Sequence, residues 1–325
     1  HEGESKVIMH MPERRIYGPV PSRRLGRSLG VNNIPFKICT YSCMYCQLGK
    51  AVRVRESRQE FYKPSELLDE TKMVLSNIRN RNEYPDYITI VPDGEPTLDL
   101  NLGILIKKLQ TLGTPVAVIS NASLIHLPEV QDALLLADYI SLKIDTVNTE
   151  TWRKINKPHR ALKLNEIISG IHSFADRYSG TLATETMLLQ GINDSQKEVD
   201  DIARFIAAIS VDKVYLAIPT RPPAYKEAIP ADEQALNQAY HIFEANSQAV
   251  EWLIGYEGNA FSSTGNFRDD LLSITAVHPM REDAVLELLN KTQGNPDLLD
   301  GLIKEDLIKK VLYGGHTYFL RKFRK

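Results

Sequence analysis

Three cysteines within eight positions are the strongest chemical signal in this 325-residue sequence. Cys39, Cys43 and Cys46 are all the cysteines of the chain, and an odd number of thiols cannot pair completely into disulfides. Closely spaced thiolates are typical metal ligands, and a site with one open coordination position can do chemistry. On a [4Fe–4S] cluster, three cysteines would leave one iron free to bind a small molecule. The alternative is a zinc site completed by a histidine such as His126.

A second motif, Asp93-Gly94-Glu95-Pro96, directly follows the predicted strand Tyr87–Val91. Glycine at the end of a strand lets the backbone approach a ligand closely. The neighbouring carboxylate can accept hydrogen bonds from an ammonium group. Gly-Glu-Pro alone is also an ordinary turn. Its position one β/α unit after the cysteines makes it a candidate ligand site.

Polar side chains also lie at or near the ends of later predicted strands, at Ser120, Asn121, Lys143, Asp145 and Asn193, and Glu185 falls within the predicted strand Thr181–Leu189. Because the carboxyl ends of parallel strands meet at one edge of a barrel, these residues could surround a ligand there. Each could equally cap the next helix or form a turn. Lys143 lies in a buried strand and needs a partner or a function, and Asp145 on the same strand face is the candidate partner.

Three arginines lie in predicted loops, Arg221 after a strand and Arg23 and Arg24 near the N-terminus. They could meet an anionic substrate at the mouth of the barrel. Charged loop residues are usually solvated, and we expect that here.

The apolar pattern predicts alternating strands and helices. Short, nearly continuous apolar runs suit parallel strands covered on both faces. These runs are Ser28–Ile34, Tyr87–Val91, Pro115–Ser120, Tyr139–Ile144, Thr181–Leu189 and Lys213–Ile218. Six such β/α units predict an α/β fold, a partial (β/α)6 TIM-like barrel with its chemistry at the carboxyl ends of the strands. The preceding stretch Ile16–Gly30 is rich in Gly, Pro and Arg and is predicted to be an irregular arm.

Changes in composition predict the domain boundaries. We expect an N-terminal tail at 1–15, the barrel at 16–258, a linker at 259–270 and a small C-terminal module at 271–325. Two helices followed by a hairpin that turns at Gly314 and Gly315 predict a winged-helix-like α+β module. From Ile303 on, seven basic and two acidic residues give a local charge of +5.

Overall composition is that of an ordinary globular protein, with 43% hydrophobic and 25% charged residues. The formal charge of −2 gives no general attraction to nucleic acid or membrane. No apolar run is long enough for a membrane span, and no signal peptide is recognisable, so we expect a cytoplasmic protein. Met11 is a candidate natural start, and residues 1–10 are left out of the fold prediction.

The Cys-x3-Cys-x2-Cys loop, with Tyr45 before its last cysteine, resembles the cluster loop of the radical S-adenosylmethionine (SAM) superfamily. The resemblance covers about residues 16–258. It implies one [4Fe–4S] cluster on Cys39, Cys43 and Cys46, whose fourth iron binds the amino and carboxylate groups of SAM. It also implies that Tyr45 lies near the adenine.

The resemblance extends to the other candidate residues. Gly94-Glu95-Pro96, with Asp93 in place of a first glycine, is similar to the family motif that holds the methionine amino group. The resemblance also implies that Ser120, Asn121, Glu185 and Asn193 contact the cofactor. Lys143 and Asp145 join this candidate set by their position at a strand end.

Within the superfamily, Tyr17–Gly26 and Tyr45–Gly49 look most similar to the wyosine-type tRNA synthases and their uncharacterised bacterial relatives. Wyosine synthases carry a second cluster on additional cysteines, and this chain has no cysteines left for one. The resemblance therefore implies a single-cluster enzyme. Its reaction would begin with one electron from a flavodoxin or ferredoxin, and SAM would be cleaved to a 5′-deoxyadenosyl radical that abstracts hydrogen from a substrate. An oxygen-labile cluster indicates an anaerobic or reducing cytosol.

The sequence is compatible with several classes of substrate. The basic hairpin of the C-terminal module could bind RNA phosphates, as in tRNA modification. The module could instead hold a peptide as an added strand or in a groove, or it could be a plain packing module beside a small-molecule site. The rival to an enzyme is a non-enzymatic iron–sulfur or zinc-binding module.

Overall fold

A computed structural model describes residues 15–51, 53–78, 83–246, 250–253, 263, 265–277 and 279–322. The predicted tail lies outside these residues except for Arg15, and residues 259–262 and 264 of the predicted linker lie outside them as well. Arg324 and Lys325, which contribute to the predicted basic end of the chain, also lie outside them.

A single curled sheet of eight strands forms the frame of the molecule. Seven strands pair in parallel, and the first pairs antiparallel at one edge. In sheet order they are β1 (Ile16–Ser22), β2 (Gly26–Val31), β5 (Tyr87–Ile90), β6 (Val116–Ser120), β7 (Tyr139–Lys143), β8 (Thr181–Met187), β9 (Lys213–Ala217) and β10 (Val250–Leu253). A short separate ladder pairs β3 (Ile38–Cys39) with β4 (Arg53–Val54) beside the cysteine loop. The order places the carboxyl ends of the parallel strands at one mouth.

Within the part of the chain that the structure describes, seven helices connect the strands, because a parallel pairing needs a crossover between neighbours. They are α1 (Pro64–Ser76), α2 (Leu102–Gln110), α3 (Pro128–Leu134), α4 (Thr149–Asn156), α5 (Leu164–Arg177), α6 (Gln196–Ala207) and α7 (Glu233–Asn246). Each buries one apolar stripe; in α6 the stripe is Val199, Ile202, Ala203 and Ile206. Within the described residues, no helix combines the length and apolarity that crossing a membrane would require.

The inner face of the sheet is filled by its own side chains and by the turn between β1 and β2. Leu25 of that turn packs with Ala117, Tyr139, Ala183 and Tyr215, which alternate inward along the strands. From the same turn, Arg23 donates to the carbonyl oxygen of Trp252 on β10, at 3.5 Å. The turn therefore reaches across the lumen towards the opposite edge of the sheet and closes it from below.

The predicted partial barrel is confirmed, with one further strand at each edge. The prediction of an irregular arm over Ile16–Gly30 was wrong, since this stretch forms the hairpin of β1 and β2. Gly18, Pro19 and Pro21 sit in the bulged edge strand β1, where a missing ladder donor is tolerated. The last strand, β10, was missed because it is short and carries the polar Glu251.

The C-terminal residues form three helices and a three-stranded sheet. The elements are α8 (Phe267–Val277), β11 (Met280–Arg281), α9 (Glu282–Lys291), α10 (Asp297–Lys304), β12 (Ile308–Tyr313) and β13 (His316–Arg321), with the sheet in the order β11-β13-β12. Helix α8 begins inside the predicted linker. Their core includes Val20 of β1. Tyr313 and Tyr318 donate to the carbonyl oxygens of Pro219 and Thr220 at 3.0 and 2.9 Å, which joins these elements to the loop after β9.

The β1–β2 hairpin depends on a close approach at Gly30. A Cβ there would lie 2.1 Å from Cζ of Tyr17, whose hydroxyl donates to the carbonyl oxygen of Val91 at 2.7 Å. We predict that Gly30→Ala lowers the free energy of unfolding by about 2 kcal/mol, because the ring must leave its place. Urea unfolding measures the change. Gly301→Ala is the control, since nothing lies within 4 Å of its added Cβ, and it should be neutral or slightly stabilising. Equal losses in both variants would contradict the prediction.

Candidate functional site

The three cysteines lie on one loop at the mouth of the barrel, and each sulfur accepts a hydrogen bond from a different part of the chain. Lys37 Nζ donates to Cys46 Sγ at 3.2 Å. The side-chain amide of Asn121, after β6, donates to Cys39 Sγ at 3.6 Å. The amide of Asn156, at the end of α4, donates to Cys43 Sγ at 3.3 Å. Donors aimed at sulfur favour thiolates, the form that binds metal.

Burial opposes those donors when the loop carries no metal. It raises the pKa of Cys39 to about 12, with the nearby Glu95 as a further cause. Burial and Asp145 likewise raise the pKa of Cys43. Both thiols are therefore neutral near pH 7, and metal binding must displace their protons.

Gly94 holds the cysteine loop against the end of β5. An added Cβ would lie 1.8 Å from the carbonyl oxygen of Ile38, the residue before Cys39. The backbone N–H of Glu95 donates to that same oxygen at 3.3 Å, and Lys37 N–H donates to the carbonyl of Asp93 at 3.0 Å. The sequence suggested that this glycine admits a ligand. The structure shows that it admits the backbone that carries the first cysteine.

The Glu95 carboxylate is buried behind the wall of the site. It accepts hydrogen bonds from Thr97 Oγ1 (2.6 Å) and Thr97 N–H (3.1 Å), from Ser120 Oγ (2.7 Å) and from the N–H of Asn121 (2.8 Å). These donors offset the effect of burial, which raises the pKa of Glu95. Glu95 and Ser120 thus tie the ends of β5 and β6 together, while Pro96 begins the short helical turn that carries Thr97.

Lys143 pairs with Glu185 on the neighbouring strand, Nζ to Oε1 at 2.7 Å, and not with Asp145 as the sequence suggested. Glu185 also forms an ion pair with Arg24 from the β1–β2 turn. Side-chain exposures of 16%, 9% and 17% for Lys143, Glu185 and Arg24 make this a largely buried group. Burial lowers the pKa of Lys143. The pairing follows from the parallel register, which aligns Lys143 with Glu185.

Asp145 Oδ2 instead accepts two hydrogen bonds, from Tyr45 Oη at 2.5 Å and from the side-chain amide of Asn156 at 2.8 Å. The ammonium of Lys143 lies 4.7 Å from the centre of the Tyr45 ring. Asn193 is fully buried, and its amide group braces the backbone at Asp145, Met187 and Leu189.

Several of the residues described above line a cavity of about 320 Å³. Its lining includes Lys37, Cys39, Tyr45, Asp93, Gly94, Lys143, Glu185 and the other two cysteines. Arg23, Arg24 and Arg221 also line it. Arg23 is exposed to solvent as expected, whereas Arg24 and Arg221 are partly buried, so the expectation of solvated loop residues was wrong for these two. Arg221 donates to Gln47 at 2.9 Å, beside Cys46. The β1–β2 turn and the loop after β9 are folded inward, which their sequences do not reveal.

The predicted cofactor-binding residues do not all lie on the cavity wall. Glu185 lies on the cavity wall, whereas Glu95, Ser120, Asn121 and Asn193 are not among its lining residues. Sequence reasoning missed Lys37 and Asn156. Lys37 could have been found by its position two residues before Cys39, whereas nothing local marks Asn156.

The sequence matches the family model described as the radical SAM superfamily over residues 33–206. The chain belongs to the radical SAM superfamily. It is 38% identical to the UPF0026 protein MJ1312 of Methanocaldococcus jannaschii over 310 residues, 95% of this chain and 96% of that protein. A Brachyspira hyodysenteriae protein named GTPase Obg is 35% identical over 315 residues, which cover 96% of this chain and 46% of that protein.

Solved radical SAM structures share the fold. A radical SAM methyltransferase from Sphaerobacter thermophilus superposes with a TM-score of 0.55 at 14% identity, covering 70% of this chain and 66% of that one. TYW1 with a lysine-pyruvate adduct gives 0.52 at 15% identity, with coverages of 69% and 76%. Streptococcus suis SuiB bound to S-adenosylmethionine gives 0.51 at 12%, with coverages of 69% and 49%. Membership makes this radical SAM protein an enzyme with a [4Fe–4S] cluster and SAM as cofactors.

The residues present fit these cofactors. Three thiols on one loop can each bind a different iron of a cluster. Among the described residues, no three His, Cys, Asp or Glu side chains are grouped as ligands of a single metal ion, which a mononuclear zinc site would need. His126 lies instead in a separate surface depression with Gln131 and Gly170. A cavity of this size beside the thiols, lined by both charges, suits a small zwitterionic molecule.

For the cysteine loop of this radical SAM protein, we predict that Gly94→Ala lowers stability by about 3 kcal/mol and makes Cys39 react faster with a thiol reagent. The added Cβ must push Ile38 and the first cysteine away from β5. Urea unfolding and thiol labelling of the metal-free protein measure the two effects. In Gly103→Ala the nearest atom would lie 3.4 Å from the Cβ, so this control should label at the wild-type rate. Unchanged labelling in Gly94→Ala would contradict the prediction.

For the buried ion pairs, we predict that Glu185→Gln costs about 3 kcal/mol of stability, because Lys143 and Arg24 are left as buried, uncompensated cations. Adding Lys143→Met to Glu185→Gln should recover part of that loss. A double-mutant cycle by urea unfolding tests the coupling. Strictly additive losses would show that the carboxylate does not hold the two cations together.

Proposed function

We propose that the protein holds one [4Fe–4S] cluster on Cys39, Cys43 and Cys46 and acts as a single-cluster radical SAM enzyme. The supporting observation is that each of the three sulfurs has its own hydrogen-bond donor, from Lys37, Asn121 and Asn156. The sequence has no cysteine left for a second cluster. Reduced by one electron, such a cluster with SAM supplies a 5′-deoxyadenosyl radical that abstracts hydrogen from a substrate.

We assign roles in this site by which polar atoms face the cavity. Asp93 and the backbone at Gly94 face it and would hold the ammonium of the methionine moiety. Tyr45 would lie against the adenine, steadied by its hydrogen bond to Asp145. Lys143, Glu185 and Arg24 would bind the remaining polar groups of the cofactor or the substrate. Glu95, Pro96, Ser120, Asn121 and Asn193 would act from behind the wall by fixing the strand ends.

For the substrate, we propose a molecule with an anionic group, and RNA, as in tRNA modification, is the leading candidate. Arg23 and Arg221 on the cavity wall support an anion. The supports for RNA are the basic hairpin and the likeness in sequence to wyosine-type synthases. Two of these basic charges are neutralised, however, since Lys310 pairs with Glu282 and Lys322 with Asp306.

A peptide is the second candidate, and the position of β12 favours it. This strand lies at the edge of the order β11-β13-β12 and could accept an added strand. We propose that α9, α10, β12 and β13, the two helices and the hairpin expected from the sequence, form a winged-helix-like module together with α8 and β11. We also propose that the boundary of this module with the barrel lies near residue 270.

The electron donor we propose is a flavodoxin or ferredoxin in the reducing cytoplasm. The cavity itself can exclude water from reactive species, since the β1–β2 turn closes it from below and the loop after β9 packs over one side.

Anaerobic reconstitution tests the proposed function. Wild-type protein should bind about four irons per chain and form 5′-deoxyadenosine when given SAM and dithionite. Single Cys39→Ser, Cys43→Ser and Cys46→Ser variants should each lose the cluster absorbance and the nucleoside, while the circular dichroism of the metal-free proteins stays the same. Tight binding of zinc alone, or a loaded cluster without nucleoside formation, would refute the proposal.

A further inference from the structure

Two short segments beside the cysteine loop carry basic residues without any acidic ones. Residues 50–55 contain three lysines and arginines and residues 153–163 contain five, and neither segment contains Asp or Glu. The whole chain has a formal charge of −2, so this positive charge is strongly segregated. We call the surface formed by the two segments the basic face.

The first segment is bonded directly to the cysteine loop. The backbone N–H of Arg55 donates to the carbonyl oxygen of Cys39 at 2.9 Å. The N–H of Ala51 donates to Ser42 Oγ at 3.2 Å. Lys50 and Arg53 are exposed to solvent. This side of the loop therefore presents positive charge to solvent a few residues from a proposed ligand.

The second segment lies against the other side of the same loop. Ser42 N–H donates to the carbonyl oxygen of Asn156 at 3.0 Å, and His159 N–H donates to that of Thr40 at 2.9 Å. The Asn156 amide reaches Cys43 Sγ at 3.3 Å. One segment thus carries both a hydrogen bond to a proposed ligand sulfur and a group of exposed cations.

The two segments meet at Tyr225. The ammonium groups of Lys50 and Lys157 lie 4.4 and 4.9 Å from the centre of its ring. Tyr225 N–H donates to the carbonyl of Met44, within the cysteine loop, at 3.0 Å. Gathering like charges on one ring is unfavourable by Coulomb repulsion, and a negatively charged partner would relieve it.

We propose that the basic face is the docking surface for a small acidic one-electron carrier protein that reduces the cluster. The inference rests on the proposed function. In the docked complex the carrier's reduced flavin or iron–sulfur centre loses one electron and the cluster gains it, with no bond formed or broken. Charge complementarity steers such encounters and fixes their orientation. None of the cations of this face lines the cavity, so the carrier and the substrate approach from different sides.

RNA is the competing occupant, because phosphates are also attracted to lysine and arginine. The short path from this face to a cysteine sulfur favours the electron carrier. An RNA substrate has to present its reacting atom inside the cavity, whereas an electron donor needs closeness to the cluster and no access to the cavity.

The test uses reconstituted holoenzyme carrying Lys50→Glu, Lys157→Glu and Arg160→Glu together. Calorimetry at low ionic strength measures binding of an oxidised flavodoxin, chosen as an acidic carrier. We expect the dissociation constant to rise at least about tenfold, and the wild-type affinity to fall with added salt. The same three positions changed to Gln form a milder variant, with a smaller effect of the same sign, because glutamine removes the positive charge without reversing it.

The control carries the same change of charge on the opposite side of the barrel, in Lys72→Glu, Lys107→Glu and Arg204→Glu. These exposed residues lie late in α1, α2 and α6, near the amino ends of the following strands. At about 0.15 M salt this control variant should bind flavodoxin within about twofold of wild type, because charges beyond the Debye length of about 8 Å are largely screened there.

Nucleoside formation provides a second readout. With flavodoxin and its reductase, the charge-reversed basic face should slow 5′-deoxyadenosine formation about as much as it weakens binding, and with dithionite it should leave the rate unchanged. Equal flavodoxin binding in all variants overturns the inference. The inference is also overturned if the charge-reversed variant loses binding to total tRNA while it still binds flavodoxin like wild type. If wild-type enzyme forms no nucleoside with dithionite, the proposed function fails, and the calorimetry still decides whether the face binds the carrier.

Discussion

The close approach of Gly94 to the carbonyl oxygen of Ile38 is the contact on which the site depends. With no side chain in between, the backbone that leads into Cys39 is held against the end of β5. Glu95 is then placed to receive donors from β6, and Asn121, fixed by the same carboxylate, reaches the sulfur of Cys39. Because Gly94 has no Cβ, the ends of β5 and β6 can together fix the position of the Cys39 thiol. A buried carboxylate with four donors is stiff, because losing any of them exposes a charge to an apolar surrounding.

A second constraint comes from the lumen, where charge is buried. Arg24, carried in by the β1–β2 turn, and Lys143, on β7, share Glu185. Each of these three charges alone would be costly to bury, whereas together they form a hydrogen-bonded group with a net positive charge on the cavity wall. The turn that brings Arg24 also fills the bottom of the lumen through Leu25. Closing the barrel and charging its interior are thus consequences of one hairpin, which suits a reaction that must be kept from water.

The parts predicted from the sequence were those with local signals. The short apolar runs each need only a few neighbouring residues, and the parallel barrel follows from their alternation. The cysteine spacing and Gly94 are local signals as well, but the sequence suggested a ligand next to Gly94, where the structure places the backbone before Cys39. The sequence-based prediction missed the β1–β2 hairpin because Gly18, Pro19 and Pro21 favour a loop locally. Only pairing with the sheet overrides that local preference. Lys143 was matched with Asp145 on its own strand because register across strands cannot be read from sequence. Asn156 was missed because its role depends on where α4 ends in space.

Positive charge is arranged differently on the two sides of the cysteine loop, the side that faces the cavity and the side that faces solvent. Inside the cavity the strongest cations are partnered: Lys143 and Arg24 by a carboxylate and Lys37 by a cysteine sulfur. On the outside, residues 50–55 and 153–163 gather cations with no acid in either segment, although the chain as a whole is slightly acidic. Cations inside are held by the fold and serve to orient bound groups. Cations outside do little for stability, since exposed pairs contribute at most about 1 kcal/mol. Their concentration against the back of the cysteine loop is therefore better explained by an encounter with another molecule than by folding.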